Sequence, residues 1–168
     1  FRDGNQAELM KMFQEGSVDY MISVCSEEIT DVVRTEIARE RVLLALPEHH
    51  PAIAHAYQVG NEPYPHLDVR YLDRETFIVP VTGQSMRMTA NRIFQMQDQS
   101  MRRTANYILE RARIRPGRII EIGHFDVIMS MVNIGLGIGF NRLGYIHDMQ
   151  KFEHVRYFLI NRESYQSS

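Results

Sequence analysis

An α/β fold is predicted for this chain, and three observations predict it. Short apolar, β-branched runs recur at residues 18–24, 41–46, 77–81, 118–122, 138–140 and 155–160, each of strand length. Segments with apolar residues at helical spacing lie between several of them. Glycine and proline punctuate the junctions. Strands that alternate with helical patterns point to mostly parallel sheet.

Each element follows from its residues. Leu9, Met10 and Phe13 make a helical apolar stripe that stops at Gly16, a glycine suited to the left-handed turn after a helix. Residues 18–24 then read as a strand, and the charged stretch 27–40 as a loop or weak helix. Residues 41–46 are almost continuously apolar, as a strand buried on both faces should be. Pro47 ends it. Residues 51–57 suit one short helix, and 60–65 form a turn-rich loop. The strand at 77–81 is weakened at its end by Pro80, which lacks a ladder donor. After the strand at 118–122, Phe125, Ile128, Met129, Val132 and Leu136 follow at helical spacing, and Gly135 marks the helix end.

One segment is duplicated. Residues 84–93, QSMRMTANRI, recur fifteen positions later as 99–108, QSMRRTANYI, with eight of ten identities. A single pair falls short of a solenoid, which needs about three repeats. Met101, Ala105, Ile108, Leu109 and Ala112 form an amphipathic stripe in the second copy, matched by Met86, Ala90 and Ile93 in the first. Two successive helices broken near Asp98 fit this pattern, with Asp98 or Ser100 as the cap. The alternative makes residues 93–97 a strand.

Composition removes several classes of function. Nineteen lysines and arginines against 21 acids give a net charge of −2, unlike a domain held to DNA through phosphate contacts. The one cysteine, Cys25, cannot form an internal disulfide, which fits a reducing, cytoplasmic setting. No apolar run approaches a membrane span. His49, His50 and His55 lack the spacing and companions of a zinc set, so no metal is expected. The glycines of residues 135–139, GLGIG, follow a helix and enter a strand. A dinucleotide fingerprint requires the reverse order.

Five motifs then occur in one order. They are ELMKMFQEGSVDYMISV around Gly16, Val18, Asp19 and Ile22, ERVLLALPEHHPAIAHA with its His50-Pro51 step, YLDRETFIVP, ERARIRP ending at Pro116, and VNIGLGIGF at 132–140. Together they resemble the effector-binding domain of LysR-type transcriptional regulators. The resemblance implies two lobes with the type 2 periplasmic-binding-protein-like fold. Lobe one comprises residues 1–46 and 148–168, and lobe two residues 47–147. It further implies a small effector, anionic on this reading, between the lobes, and a homodimer or homotetramer. Operator DNA is contacted only through an N-terminal domain that this chain lacks, and neither enzyme activity nor a cofactor is implied. The chain departs from the family in having Asn141-Arg142 where Leu-Pro is usual, and in the fifteen added residues. The resemblance also begins inside the domain and stops before its closing helix, so the fold is expected to be incomplete at both ends. A solute-binding protein of a transporter is the alternative with the same two-lobe logic.

Crevice groups belong at the C-terminal ends of parallel strands and at helix starts, where free N–H groups favour anions. That rule selects Val24, Cys25 and Ser26 after the first strand, and Thr82, Gly83, Gln84 and Ser85 after the strand at 77–81. Gln99 and Ser100 replace the latter set if the second copy holds that position. His124 and Phe125 follow the strand at 118–122 as ligand contacts, with His124 as a plain helix cap otherwise. The arginines at 87, 92, 102, 103, 111, 113, 115 and 118 read either as a basic face for an anion or as the solvated side of helices.

Overall fold

The computed structural model describes residues 2, 6–22, 32–33, 35, 37, 41–81, 92–146 and 152–161, with backbone alone for 6, 7, 92–100 and 145. At its centre is β1, Val42–Pro47, whose Leu43, Leu44, Ala45 and Leu46 are wholly buried. Apolar side chains on successive residues leave neither face of a strand polar, so β1 takes a central position. It pairs antiparallel with β5, Gly139–Arg142, on one side and with β6, Val155–Ile160, on the other. The short β2, His66–Leu67, adds parallel to β6, giving the order β2-β6-β1-β5. The expected mostly parallel sheet is therefore corrected to a mixed one. The chain returns twice beside β1, each time in the opposite direction.

A second, parallel pair joins β3, Thr76–Pro80, to β4, Arg118–Ile122. One residue ties the two sheets together. Ile138 donates its N–H to the Thr76 carbonyl at 2.9 Å and accepts from the Ile78 N–H at 2.8 Å, and the chain then steps directly into β5. The glycines around it make that step feasible. A Cβ on Gly137 would stand 2.8 Å from the Thr76 carbonyl oxygen, and one on Gly139 would stand 3.1 Å from the Val132 side chain. Gly135 turns out of the preceding helix with φ +82, a conformation that costs an L-residue strain.

Four helices complete the described chain: α1, Gln6–Gln14; α2, Arg92–Arg111; α3, Phe125–Asn133; and the single turn α4, Leu143–Ile146. Residues 51–57 supply a 3-10 turn, Pro51–His55, rather than a longer helix. α2 runs unbroken through Asp98, so neither a break there nor a strand at 93–97 is present. Asp98 and Ser100 are interior to the helix, so neither stands at its N-cap position. The stripe of the second copy is as the sequence predicts: Met101, Ala105, Ile108, Leu109 and Ala112 are all buried. They meet Leu44, Phe77, Val79 and Phe140 in one core, where the Phe77 and Phe140 rings stack 5.9 Å apart. On the other face of the sheets, Ile128, Met129 and Val132 of α3 pack against Ala45, Ile78 and Val155.

The strand predicted at 18–24 is not formed over its described part. Residues 18–22 are irregular and leave Tyr20 and Ile22 exposed. A strand exists only where a neighbouring backbone completes its ladder, and among the described residues none pairs with this one. The α1 helix ends as expected, with the Gly16 N–H on the Phe13 carbonyl and φ +70 at Gly16.

The close approach at Gly137 yields a test. Gly137→Ala should destabilise the chain by about 1–3 kcal/mol, the usual cost of overpacking, whereas Ile134→Ala, at an exposed position, should be nearly neutral. Chemical denaturation followed by circular dichroism compares the two.

Candidate functional site

The parallel pairing of β3 and β4 brings their C-terminal ends to one edge. Pro80 lies opposite Ile122, and the Val81 N–H donates to the Ile122 carbonyl at 3.3 Å. The residues that leave this edge are Thr82 to Ser85 after β3 and Gly123 to Phe125 after β4. β5 runs alongside β3 from the Ile138 bridge and delivers Asn141 and Arg142 towards the same end, both buried. Such an edge, at the mouths of parallel strands, is where open α/β sheets place ligands.

The best-built part of the edge is Arg102. Its Nη1 donates to the Pro80 carbonyl at 2.9 Å and pairs with Glu121 at 2.7 Å, while Nε donates to Asn106 one turn along α2 at 3.0 Å. The guanidinium thus clamps α2 onto the ends of β3 and β4 at once. The reading of the arginines as a solvated face is corrected here, because Arg102 is 9% exposed. For Arg103, Arg111, Arg113, Arg115 and Arg118 the exposed reading holds. Arg87 lies outside the described residues, as does the Arg92 side chain. Because α2 begins at Arg92, it extends past Arg102 by ten residues, roughly 15 Å of helix at 1.5 Å each.

His124 occupies the N-cap position of α3, and its carbonyl accepts from Val127 and Ile128. Its imidazole makes no capping bond and is exposed beside the edge. Phe125 is half-buried and packs against the Ile128–Met129 core. Asp126 already sets a negative charge in the first turn of α3, so the positive end of that dipole is partly answered. Gln99 and Ser100 lie on α2 just before Arg102, where only the backbone is described. Val24, Cys25 and Ser26 lie outside the described residues, as do Thr82, Gly83, Gln84 and Ser85.

Asn141 and Arg142 lie at this edge although sequence reasoning did not select them, and their departure from Leu-Pro was the available signal. The Asn141 carboxamide accepts from the Arg142 N–H at 2.7 Å. It also bonds to Tyr157, whose hydroxyl burial pushes above its ordinary value while that hydrogen bond works the other way.

Two other features are separate from this edge. The three histidines diverge: His50 Nδ1 accepts from the Ala52 N–H at 3.2 Å, His55 stacks on Tyr71 at 4.0 Å, and His49 is open to water. Among the described residues no group of three potential metal ligands forms. A groove of about 480 Å³ lies between the 3-10 turn, the Tyr64–Pro65 step and β6, with Ile53, Val155 and Phe158 in its walls. The charges at its rim satisfy one another. Glu48 binds His154 and Arg156, and the His154 hydrogen bond is the main cause holding that carboxyl below its usual range. The groove contains none of the strand-end residues, so it is not the crevice the sequence points to. No helix among the described residues is long and apolar enough to cross a membrane.

Comparison with known proteins follows this geometry. The family model for the LysR substrate binding domain matches residues 1–165. Similar solved structures include the CcmR regulatory domain of Synechocystis PCC6803 in complex with 2-PG, at 16% identity and a TM-score of 0.59, covering 94% of this chain and 64% of that one. The BenM effector binding domain with its effector benzoate matches at 14% identity and a TM-score of 0.61, covering 97% and 64%. The effector binding domain of QuiR in complex with shikimate matches at 14% identity and 0.52, covering 95% and 63%. This chain therefore spans a little under two thirds of those domains. At such identities the likeness is one of fold. No curated protein matches the sequence at a significant level.

The clamp at Arg102 is testable by stability alone. Arg102→Met removes the donor to the Pro80 carbonyl and should cost about 1–3 kcal/mol. Glu121→Gln, at a half-exposed partner, should cost no more than about 1 kcal/mol. Equal losses in urea denaturation would show that the ion pair, not the carbonyl contact, holds α2 to the strand ends.

Proposed function

The chain belongs to the LysR substrate-binding domain family, and from that premise we propose that it is the effector-sensing part of a LysR-type transcriptional regulator. The family match favours this over a solute-binding protein of a transporter, and the domain is read as regulatory, not catalytic. The observation that carries the reading is the shared edge at Pro80 and Ile122. There the chain after β3 and the chain after β4 emerge side by side, with the His124 imidazole exposed next to them.

On this proposal the effector is small and anionic, held by the polar turn Thr82 to Ser85, with Val24, Cys25 and Ser26 facing it from the opposite lobe. Gly83 allows close approach of a ligand to the backbone, and Thr82 and Ser85 offer hydroxyls. Benzoate and shikimate, the effector and ligand named for two similar domains, are carboxylates and are suitable probes. Residues 1–46 with 148–168 form lobe one, and 47–147 lobe two. A ligand that binds one arrangement of the lobes better shifts its population. In the whole regulator that shift reaches operator DNA through a separate domain, in a cytoplasmic homodimer or homotetramer.

The test is thermal melting of the chain with benzoate, shikimate and neutral aromatic amides. A ligand at a hundred times its Kd adds about 2.7 kcal/mol to the folded state, so a carboxylate should raise Tm and the amides should not. Ser85→Phe should abolish that rise while leaving the ligand-free Tm unchanged. An undiminished rise in Ser85→Phe would transfer the site to Gln99 and Ser100. Stabilisation by amides alone would overturn the anionic reading.

A further inference from the structure

The duplication has a property that only the structure reveals. In the second copy Met101, Arg102, Ala105 and Ile108 are all buried, the apolar three in a groove lined by Leu44, Phe77, Val79 and Phe140, with Asn106 bonded to the arginine. The residues fifteen positions earlier are Met86, Arg87, Ala90, Ile93 and Asn91, identical in every case. The two mismatched positions, Arg103 against Met88 and Tyr107 against Arg92, are exposed on α2. Everything the groove contacts over this stretch is therefore present twice in the chain.

We propose that the first copy is a second occupant for this groove, so that the chain has two helix registers fifteen residues apart. In the alternative register Arg87 takes the place of Arg102 at the Pro80 carbonyl and Glu121, and Ala90 the place of Ala105. The connection from Pro80 to Arg87 leaves six residues between them, within the usual length of a strand-to-helix loop. The described register is favoured for a reason beyond the repeat. Leu109, Ala112 and Ile114 are buried, whereas the equivalent positions of the first copy are Phe94, Gln97 and Gln99. Putting two amides into apolar slots is unfavourable unless they find partners. The exchange moves fifteen residues from the Pro80 edge of the sheet to the Arg118 edge.

Stability measurements on the full chain test the registers without any ligand. The variants are Ala90→Glu, Ala105→Glu and the pair together, since a glutamate cannot fill the space of a wholly buried alanine. With two registers, Ala90→Glu leaves Tm unchanged and Ala105→Glu lowers it by a few degrees, because Ala90 takes over. The double variant then loses the cooperative transition, far beyond the sum of the single effects. With one register the double variant melts like Ala105→Glu. Additivity, loss of folding in Ala105→Glu alone, or a large effect of Ala90→Glu alone would each overturn the proposal. None of these outcomes depends on whether the effector reading holds.

Discussion

Much of the described architecture hangs on the pairing of one residue, Ile138, with β3. Its two backbone hydrogen bonds to Thr76 and Ile78 are the point where the parallel pair meets the mixed sheet. A strand can serve two sheets only if it changes neighbours within a residue or two, and side chains there would collide with the strand being left. Gly137 removes that obstacle against β3, and Gly139 on the other side of Ile138 makes room for Val132 and Ile128 of α3. The stacked rings of Phe77 and Phe140 close the same junction from the α2 side. Both core clusters reach the junction, one through Ile138 itself and the other through Ile78. Strain introduced here is transmitted to both, since interiors packed at crystal density do not deform locally.

That junction also fixes the polar edge. With β3 held between β4 and the start of β5, three strand ends point one way, and Arg102 from α2 is secured to the middle one. A buried guanidinium is costly unless its donors are used. Here they go to a carbonyl, a carboxamide and a carboxylate. The arginine is accordingly a structural clamp of the edge, and its charge is largely consumed. An anion bound beside it must draw on the turn after Val81 and on exposed groups such as His124.

The sequence made most strands and the packing face of α2 legible because their signals are local. β1 and β3 are nearly continuous apolar runs, β4 and β6 are apolar runs broken after their first residue only by Glu121 and Arg156, and the stripe from Met101 to Ala112 has helical period. What failed to show was non-local. The antiparallel returns beside β1 depend on where the chain comes back, which periodicity does not encode. Residues 18–22 carry strand-like side chains but lack a paired neighbour among the described residues. The continuity of α2 through Asp98 was hidden because aspartate and serine resemble a cap wherever they precede a stripe. Arg102 was masked by its neighbours, since seven other arginines between positions 87 and 118 make any one of them look solvated. At the candidate edge, the strand-end rule leads to His124, which stands exposed there, whereas Asn141 and Arg142 appeared only as a departure from a motif.

Amide hydrogen exchange tests the central claim, that the effector edge lies at the C-terminal ends of β3 and β4. Exchange would be followed with and without a carboxylate that raises Tm. The account predicts ligand-dependent protection at Val81 and through Gly123 to Val127, with little change along β6. Protection confined to residues 53–65 and the start of β6, around the groove at Tyr64, would contradict it.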